Sequence, residues 1–296
     1  MNKVGMFPIP ARPKLVRLRP KLGGAAAGLV LFVLGCLVPG TSAAGGTSCP
    51  DKDALGTERT ITVDAGVTPR VGRKEFPTTL ALADKEIVLT FDDGPWPGTT
   101  PAVLDALKRE CVDATFFLVG RNAAEHPELV RRELAEGHTV GTHTFSHPLL
   151  DRMTPVHAEA EIVRGIAAVD AAAGSAAAQV ATRFFRFPGF ASSPALLERL
   201  VARGIVVFGA DVWASDWNRM TPRQELQLLL ARLARTRSGI LLLHDTKRQT
   251  AAMLPSLLRE LKKRGYRIVH VVPDSRSVRV APGVLTLGHS IKSHNP

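Results

Sequence analysis

The chain has 296 residues, 45% of them hydrophobic and 22% charged, a globular balance that excludes disordered, collagenous and coiled-coil classes. Aromatic residues make up only 5%, with one Tyr and three Trp, too few for a protein that grips single-stranded nucleic acid by stacking. The formal charge of +11 points towards an anionic partner only if that charge stays with the folded protein.

Much of it lies at the start. Met1 to Ala44 contain no acidic residue but carry Lys3, Arg12, Lys14, Arg17, Arg19 and Lys21. A small-residue apolar run from about Gly23 to Val38 follows, then Thr41-Ser42-Ala43-Ala44. A basic start, a short apolar core and an Ala-x-Ala-like end read as a cleaved secretory signal peptide. The run is shorter than the roughly 20 residues a membrane span needs. An uncleaved anchor and a lipoprotein acylated at Cys36 are the alternatives. Removing the six basic residues takes the charge from +11 to about +5, so the mature protein is only mildly basic. Cys49 and Cys111 remain. In an exported protein they either form a disulfide tethering the N-terminal segment to the body or stay as buried free thiols.

From Cys49 to about Asp84 the sequence is turn-rich, with short strands at most. Strand-like runs then appear at Ile87–Phe91, Ala114–Val119, His138–Thr142, Phe184–Phe187, Ile205–Phe208, Ile240–Leu243 and Arg267–Val271. Amphipathic stretches of helical length separate them. Four of these open on Thr100-Pro101, Thr154-Pro155, Ser193-Pro194 and Thr221-Pro222, where the hydroxyl caps and the proline starts the helix. Gln224 would complete a capping box with Thr221. Gly137, Gly204, Gly239 and Gly265 suit helix ends. Ala167–Ala178 reads as a helix end or loop. The polar stretch after Pro273 reads as a tail with one short apolar run, Val284–Leu287. Seven alternating strands imply parallel pairing by right-handed crossovers, in either a doubly wound sheet or a barrel.

In both architectures the site lies at the carboxyl ends of the strands. There the sequence places Asp92-Asp93-Gly94-Pro95, His143 with His147, Arg186 with Pro188-Gly189, Asp211 with Asp216-Trp217, and His244-Asp245. Adjacent carboxylates alternate on a strand, but a turn at Gly94-Pro95 can aim both inward. One then binds a metal while the other handles a proton, although a helix-cap role also fits such a pair. His143 and His147, four apart, suit a Zn²⁺-like ion, and two His plus one carboxylate leave coordination positions open. Arg186 reads either as a core-edge ion-pair partner or, beside Asp92, as the cation that keeps that carboxylate ionised. His244, flanked by Leu242 and Leu243, reads either as a buried core histidine or, with Asp211 near, as a usable general acid. Trp213 and Trp217 suit a sugar-stacking wall, with packing as the other role. His138 reads as structural.

Thr90-Phe91-Asp92-Asp93-Gly94-Pro95, His143-Thr-x-x-His147, Arg186-x-Pro188, Asp216-Trp217 and Leu242-x-His244 together resemble the motif series of the polysaccharide deacetylases. This is the NodB-homology group, carbohydrate esterase family 4. The resemblance runs from about Lys85 to Val272 and implies a distorted (β/α)7 barrel, an α/β fold that removes acetyl groups from acetylated sugars with a metal. Carried onto this chain, it implies Asp93, His143 and His147 as metal ligands, with Zn²⁺ expected and Co²⁺ or Mn²⁺ able to substitute. It implies Asp92 as base, oriented by Arg186, and His244 as acid. Asp211 is the expected support of His244, with Asp216 as the alternative. Leu242 would wall the acetyl methyl, the Gly189 N–H would face the oxyanion, and Trp217 would contact the sugar.

Two departures stand out. Where the family usually has Pro-Tyr, this chain has Pro188-Gly189-Phe190, and the segment from Asp211 to Trp217 is longer than usual. The expected layout is a signal peptide at 1–44, an N-terminal extension at 45–84, the deacetylase domain at 85–273 and a tail at 274–296. The expected partner is an acetylated polysaccharide such as peptidoglycan, chitin oligomers or poly-N-acetylglucosamine. Nucleic acid is not expected, nor any membrane beyond passage with the signal. An O-acetyl esterase, a small-amide hydrolase and a non-catalytic glycan-binding module are the alternative functions.

Overall fold

The computed structural model describes Cys49 and residues 51–174 and 183–274. The expected signal segment with Cys36, and the tail beyond Asp274, lie outside the described residues. No helix among the described residues is long and apolar enough to cross a membrane.

The elements follow in chain order. First come strands β1 (Thr57–Val63), β2 (Arg70–Val71) and β3 (Glu86–Asp92), helix α1 (Thr100–Arg109) and β4 (Thr115–Leu118). Next are α2 (Gly120–Glu125), α3 (Pro127–Ala135), β5 (Thr139–Thr142), α4 (Pro155–Ala173) and β6 (Phe184–Phe185). Then follow α5 (Pro194–Ala202), β7 (Val206–Phe208), β8 (Val212–Trp213), α6 (Pro222–Thr236), β9 (Gly239–His244), α7 (Arg248–Lys263) and β10 (Arg267–Pro273). All seven runs singled out in the sequence contain strands.

Every ladder is parallel, and the wall of the barrel runs β8-β9-β3-β4-β5-β6-β7, with β2 continuing beyond β7. The wall therefore has seven strands, but not the seven expected. The two-residue β8 stands beside β9, while β10 pairs along its length with β1 and touches only the first two residues of β3.

Strand alternation divides the core. Ile87, Leu89 and Phe91 face the helices and pack with Leu104, Leu107, Leu254 and Leu258. Val88 belongs to a second cluster with Phe117, Phe184, Phe208 and Ile240, filled out by Val269 and Val271 of β10. Thr90 and Asp92 share the face of Val88, so β3 carries Asp92 at the end of its inward row.

The caps follow local chemistry. Thr154 and Ser193 accept from the backbone N–H three residues on, and Thr221 with Gln224 forms the capping box. Thr100 departs from this pattern: α1 begins on it, and its hydroxyl is used by the loop before the helix and by Asp245. Gly137, Gly204 and Gly265 sit just after helix ends with positive φ, whereas after α6 the helix-end position is Arg237, at φ 64°, and Gly239, at φ 145°, begins β9.

Cys49 and residues 51–84 are part of the body. Cys49 and Cys111 form a disulfide closing a 62-residue loop, which by chain entropy contributes on the order of 4 kcal/mol. Glu86 ties three strands together: it accepts from Arg59 Nε at 3.0 Å and Nη2 at 2.7 Å, and Arg267 Nη2 lies 3.7 Å away. The Arg59 hydrogen bonds, working against burial, hold Glu86 down at about 2. A lowered carboxyl pKa contributes stability above the unfolded value and loses it as pH falls through the folded one. Glu86→Gln is therefore expected to cost about 1–2 kcal/mol at neutral pH, allowing for the solvent exposure of Arg59, and to flatten the acid limb of stability between about pH 4.5 and 2. Urea unfolding across that range checks it; parallel curves for both proteins would contradict the assignment.

Candidate active site

The site stands at the carboxyl ends of β3, β5, β6 and β9, as the strand-end rule requires. The register of β3 and β9 places Asp92 opposite His244. Adjacent parallel strands thus deliver two ionisable side chains at one height on one face.

Arg186 organises the inner wall. Its side chain is fully buried, donating from Nη1 to Asp92 Oδ1 at 2.6 Å and to Thr90 Oγ1 at 2.8 Å, and from Nη2 to the Gly209 carbonyl at 2.8 Å. The guanidinium lies 4.3 Å from the centre of the Phe117 ring. One cation, one carboxylate and several neutral acceptors satisfy each other inside the barrel. Asp92 is left with Oδ2 free of Arg186, and that oxygen is 3.8 Å from His143 Nε2.

Asp93 does not continue the strand. Its φ of 77° turns the chain one residue earlier than the Gly94-Pro95 turn anticipated, swinging its carboxylate to the same side as Asp92. A Cβ on Gly94 would fall inside the buried Asp245 carboxylate, so only glycine permits this approach. Asn122 Nδ2 donates to the Asp93 carbonyl at 2.8 Å and fixes the turn. His147, at φ 64°, closes a second strained turn, in which its N–H donates to Thr144 Oγ1 at 3.0 Å. Non-glycine residues in the left-handed region are held there by their surroundings.

These turns bring Asp93, His143 and His147 together, with one ligating atom from each within 4.8 Å of the others. Asp93 Oδ1 lies 3.1 Å from His147 Nε2 and 3.6 Å from His143 Nε2, yet it is buried without a hydrogen-bond partner. An orphaned carboxylate oxygen between two imidazole nitrogens fits a divalent cation. The His143 Nδ1–H donates to the Arg186 carbonyl at 2.7 Å, which fixes the tautomer and leaves Nε2 as the ligand. Burial, outweighing the nearby Asp92 and Asp93 charges, keeps the His143 pKa low and its ring neutral. Burial opposes the Asp93 charge, but His147, His143 and His244 together hold its pKa well below the carboxylate range.

On the other side stands His244. Its Nδ1 bonds Asp216 Oδ1 at 2.7 Å and its backbone N–H donates to Asp216 Oδ2 at 2.7 Å. Burial works against the charged ring, but the hydrogen bond and charge of Asp216, with Asp92 and Asp93, raise it to about 9. The expectation that Asp211 supports His244 is corrected here. Asp211 lies at the opposite end of β8, where its carboxylate accepts from the backbone N–H of Arg73 and Ile240, both at 2.8 Å, and from Thr79 Oγ1 at 2.7 Å. It ties residues 73–79 to the start of β9 and has no contact with His244 to offer.

The remaining expected residues surround this centre. Leu242 is buried two residues before His244, on the same face of β9. Gly189, at φ 55°, sits in the short turn Pro188–Phe190 after β6. Trp217 is half exposed, its ring 6.0 Å from that of His244 and 6.2 Å from that of Trp213. Nothing in the spacing or motifs singles out Asn122, Thr250 or Glu225. Asp245 was visible only as the neighbour of His244; buried behind Gly94, it is driven up to about 7 by burial.

The polysaccharide deacetylase family model matches residues 80–208. A peptidoglycan-N-acetylglucosamine deacetylase of Listeria monocytogenes is 33% identical over 214 residues, 70% of this chain and 44% of that protein. A chitooligosaccharide deacetylase of a Bradyrhizobium species is 35% identical over 205 residues, 64% of this chain and 90% of that protein. Among solved structures, a Bdellovibrio bacteriovorus peptidoglycan deacetylase superposes with a TM-score of 0.66 at 31% identity, covering 75% of this chain and 61% of that one. The chain thus spans less than half of the Listeria relative but nearly all of the rhizobial one. Sequence match, parallel barrel and strand-end residues agree, and the chain belongs to the polysaccharide deacetylase family.

Proposed function

We propose that this chain is an exported, metal-dependent hydrolase that removes the acetyl group from N-acetylglucosamine in peptidoglycan. The observation carrying this reading is the meeting of the Asp93, His143 and His147 ligand atoms within 4.8 Å, flanked by Asp92 and His244 at matched register. A divalent cation held there, Zn²⁺ by its ligand chemistry with Co²⁺ or Mn²⁺ able to substitute, would polarise the acetamide carbonyl and make water a better nucleophile.

The chain's own groups do the rest. Asp92, anchored at Oδ1 by Arg186, takes the water proton on Oδ2. The Gly189 N–H is assigned to the developing oxyanion. His244, held at Nδ1 by Asp216, points Nε2 towards Asp93 and gives its proton to the departing amine. Leu242 walls the methyl group and Trp217 the sugar ring.

Export is supported by the signal-like composition of Met1–Ala44 and by the Cys49–Cys111 disulfide, which suits an oxidising compartment. The substrate reading is supported by a cavity of about 380 Å³ beside the ligands, lined by Asp93, His147, Trp96, Arg121 and Lys247 among others. Trp96 is half exposed there, a platform for a sugar. Two cations on the same walls favour a glycan bearing carboxylates over neutral chitin oligomers. Acetate release is accordingly expected to favour peptidoglycan fragments over chitooligosaccharides, with an advantage that shrinks as salt rises. Arg121→Gln and Lys247→Gln are each expected to lower that preference a few-fold. Equal, salt-independent turnover of both substrates would overturn the peptidoglycan assignment.

A further inference from the structure

Behind the His244–Asp216 pair the hydrogen bonding does not stop. Thr250, in the first turn of α7, and Glu225, in the first turn of α6, are both fully buried, and Asp216 is nearly so. Thr250 Oγ1 lies 2.9 Å from Asp216 Oδ2 and 2.9 Å from Glu225 Oε1. The other Glu225 oxygen is buried with no partner.

A hydroxyl has one proton, so Thr250 cannot donate to both carboxylates. Two ionised carboxylates sharing it would leave one buried charge facing a lone pair, which burial strongly disfavours. One acid must carry a proton, and the partners decide which. Asp216 accepts from the His244 ring, the His244 backbone N–H and Thr250, whereas Glu225 has Thr250 alone. Charge belongs where the donors are, on Asp216, and the proton on Glu225.

We propose that Glu225 and Thr250 are positioning residues for His244: a neutral Glu225 carboxyl donates to Thr250 Oγ1, which donates to Asp216 Oδ2, holding Asp216 with its other oxygen on His244 Nδ1. The chain runs from two outer helices to the rim of the barrel, and none of its members beyond His244 touches substrate. Glu225 supports the scheme by its environment. Burial raises it chiefly, the Thr250 bond opposes and the Asp216 charge adds, giving about 7. The catalytic consequence rests on the deacetylase reading above; the protonation state does not.

The test uses the full chain with metal and a peptidoglycan fragment. Glu225→Gln retains a donor for Thr250 and is expected to keep kcat within about two-fold, while Glu225→Leu loses the donor and about tenfold in kcat, with KM little changed. Thr250→Ser is expected to resemble the parent, and Thr250→Val to resemble Glu225→Leu. The infrared carbonyl bands of protonated buried carboxyls, recorded on the acid side of neutrality, should lose one component in Glu225→Gln, while the contribution of Asp245 stays. Full kcat in folded Glu225→Leu and Thr250→Val would overturn the positioning role, as would a Gln variant as impaired as the Leu variant. Identical carboxyl bands in the parent and in Glu225→Gln would overturn the protonation. If the parent released no acetate from any glycan, the deacetylase reading would fail while the infrared result still judged the proton on Glu225.

Discussion

Asp92→Asn is expected to lower acetate release by 10²–10⁴-fold or more while the protein still folds and binds its metal. The carboxamide can keep an oxygen on Arg186 Nη1, now 2.6 Å from Asp92 Oδ1, but offers nothing basic to the attacking water. The three ligand side chains are untouched, so metal titration should give the parent stoichiometry. Some stability is lost, because Arg186 keeps its charge in a fully buried position without a counter-ion. Turnover close to the parent would remove Asp92 as the base and move that role elsewhere on the rim.

The largest stability effect is expected at Arg186. Replacing it with Met leaves Asp92 buried without its cation and frees Thr90 Oγ1 and the Gly209 carbonyl from their donor. Breaking a buried pair from one side costs about 3–5 kcal/mol. Denaturant unfolding of Arg186→Met should show a loss of that size, with activity falling alongside because Asp92 loses its anchor. Arg186→Lys should also be impaired, since a single ammonium cannot reproduce a planar fork that reaches three acceptors in different directions. A Met variant within about 1 kcal/mol of the parent would mean that the barrel interior tolerates the lone carboxylate, and the pair would lose its structural role.

The parts of this molecule legible in the sequence were those set by short-range chemistry. Runs such as Ile87–Phe91 and Ile240–Leu243 are apolar on both faces because helices cover one side and the barrel core the other, so their strand character shows locally. β1 lies at an edge and its first four residues, Thr57–Thr60, are all polar, and β8 has only two residues, so neither rises above its surroundings. That short strand also explains the wrong partner for His244. Asp211 and Asp216 flank β8 at opposite ends, and only the pairing of Val212 with Leu241 decides which of them reaches the rim. The ligands were readable from spacing and motif, but the left-handed backbone at Asp93, Thr144 and His147 was not, because no glycine marks it. Glu225 and Thr250 were invisible for another reason. They lie 25 residues apart on two helices, and their meeting is a product of packing alone.

A metal held by Asp93, His143 and His147 and used to hydrolyse an acetamide makes activity follow the ion. The most direct test of this is acetate release from peptidoglycan fragments before chelation, after chelation, and after Zn²⁺ is restored. Release is expected to disappear with the chelator and to return with the ion. Chelator-insensitive turnover, or no acetate even in the metal-loaded protein, would contradict it.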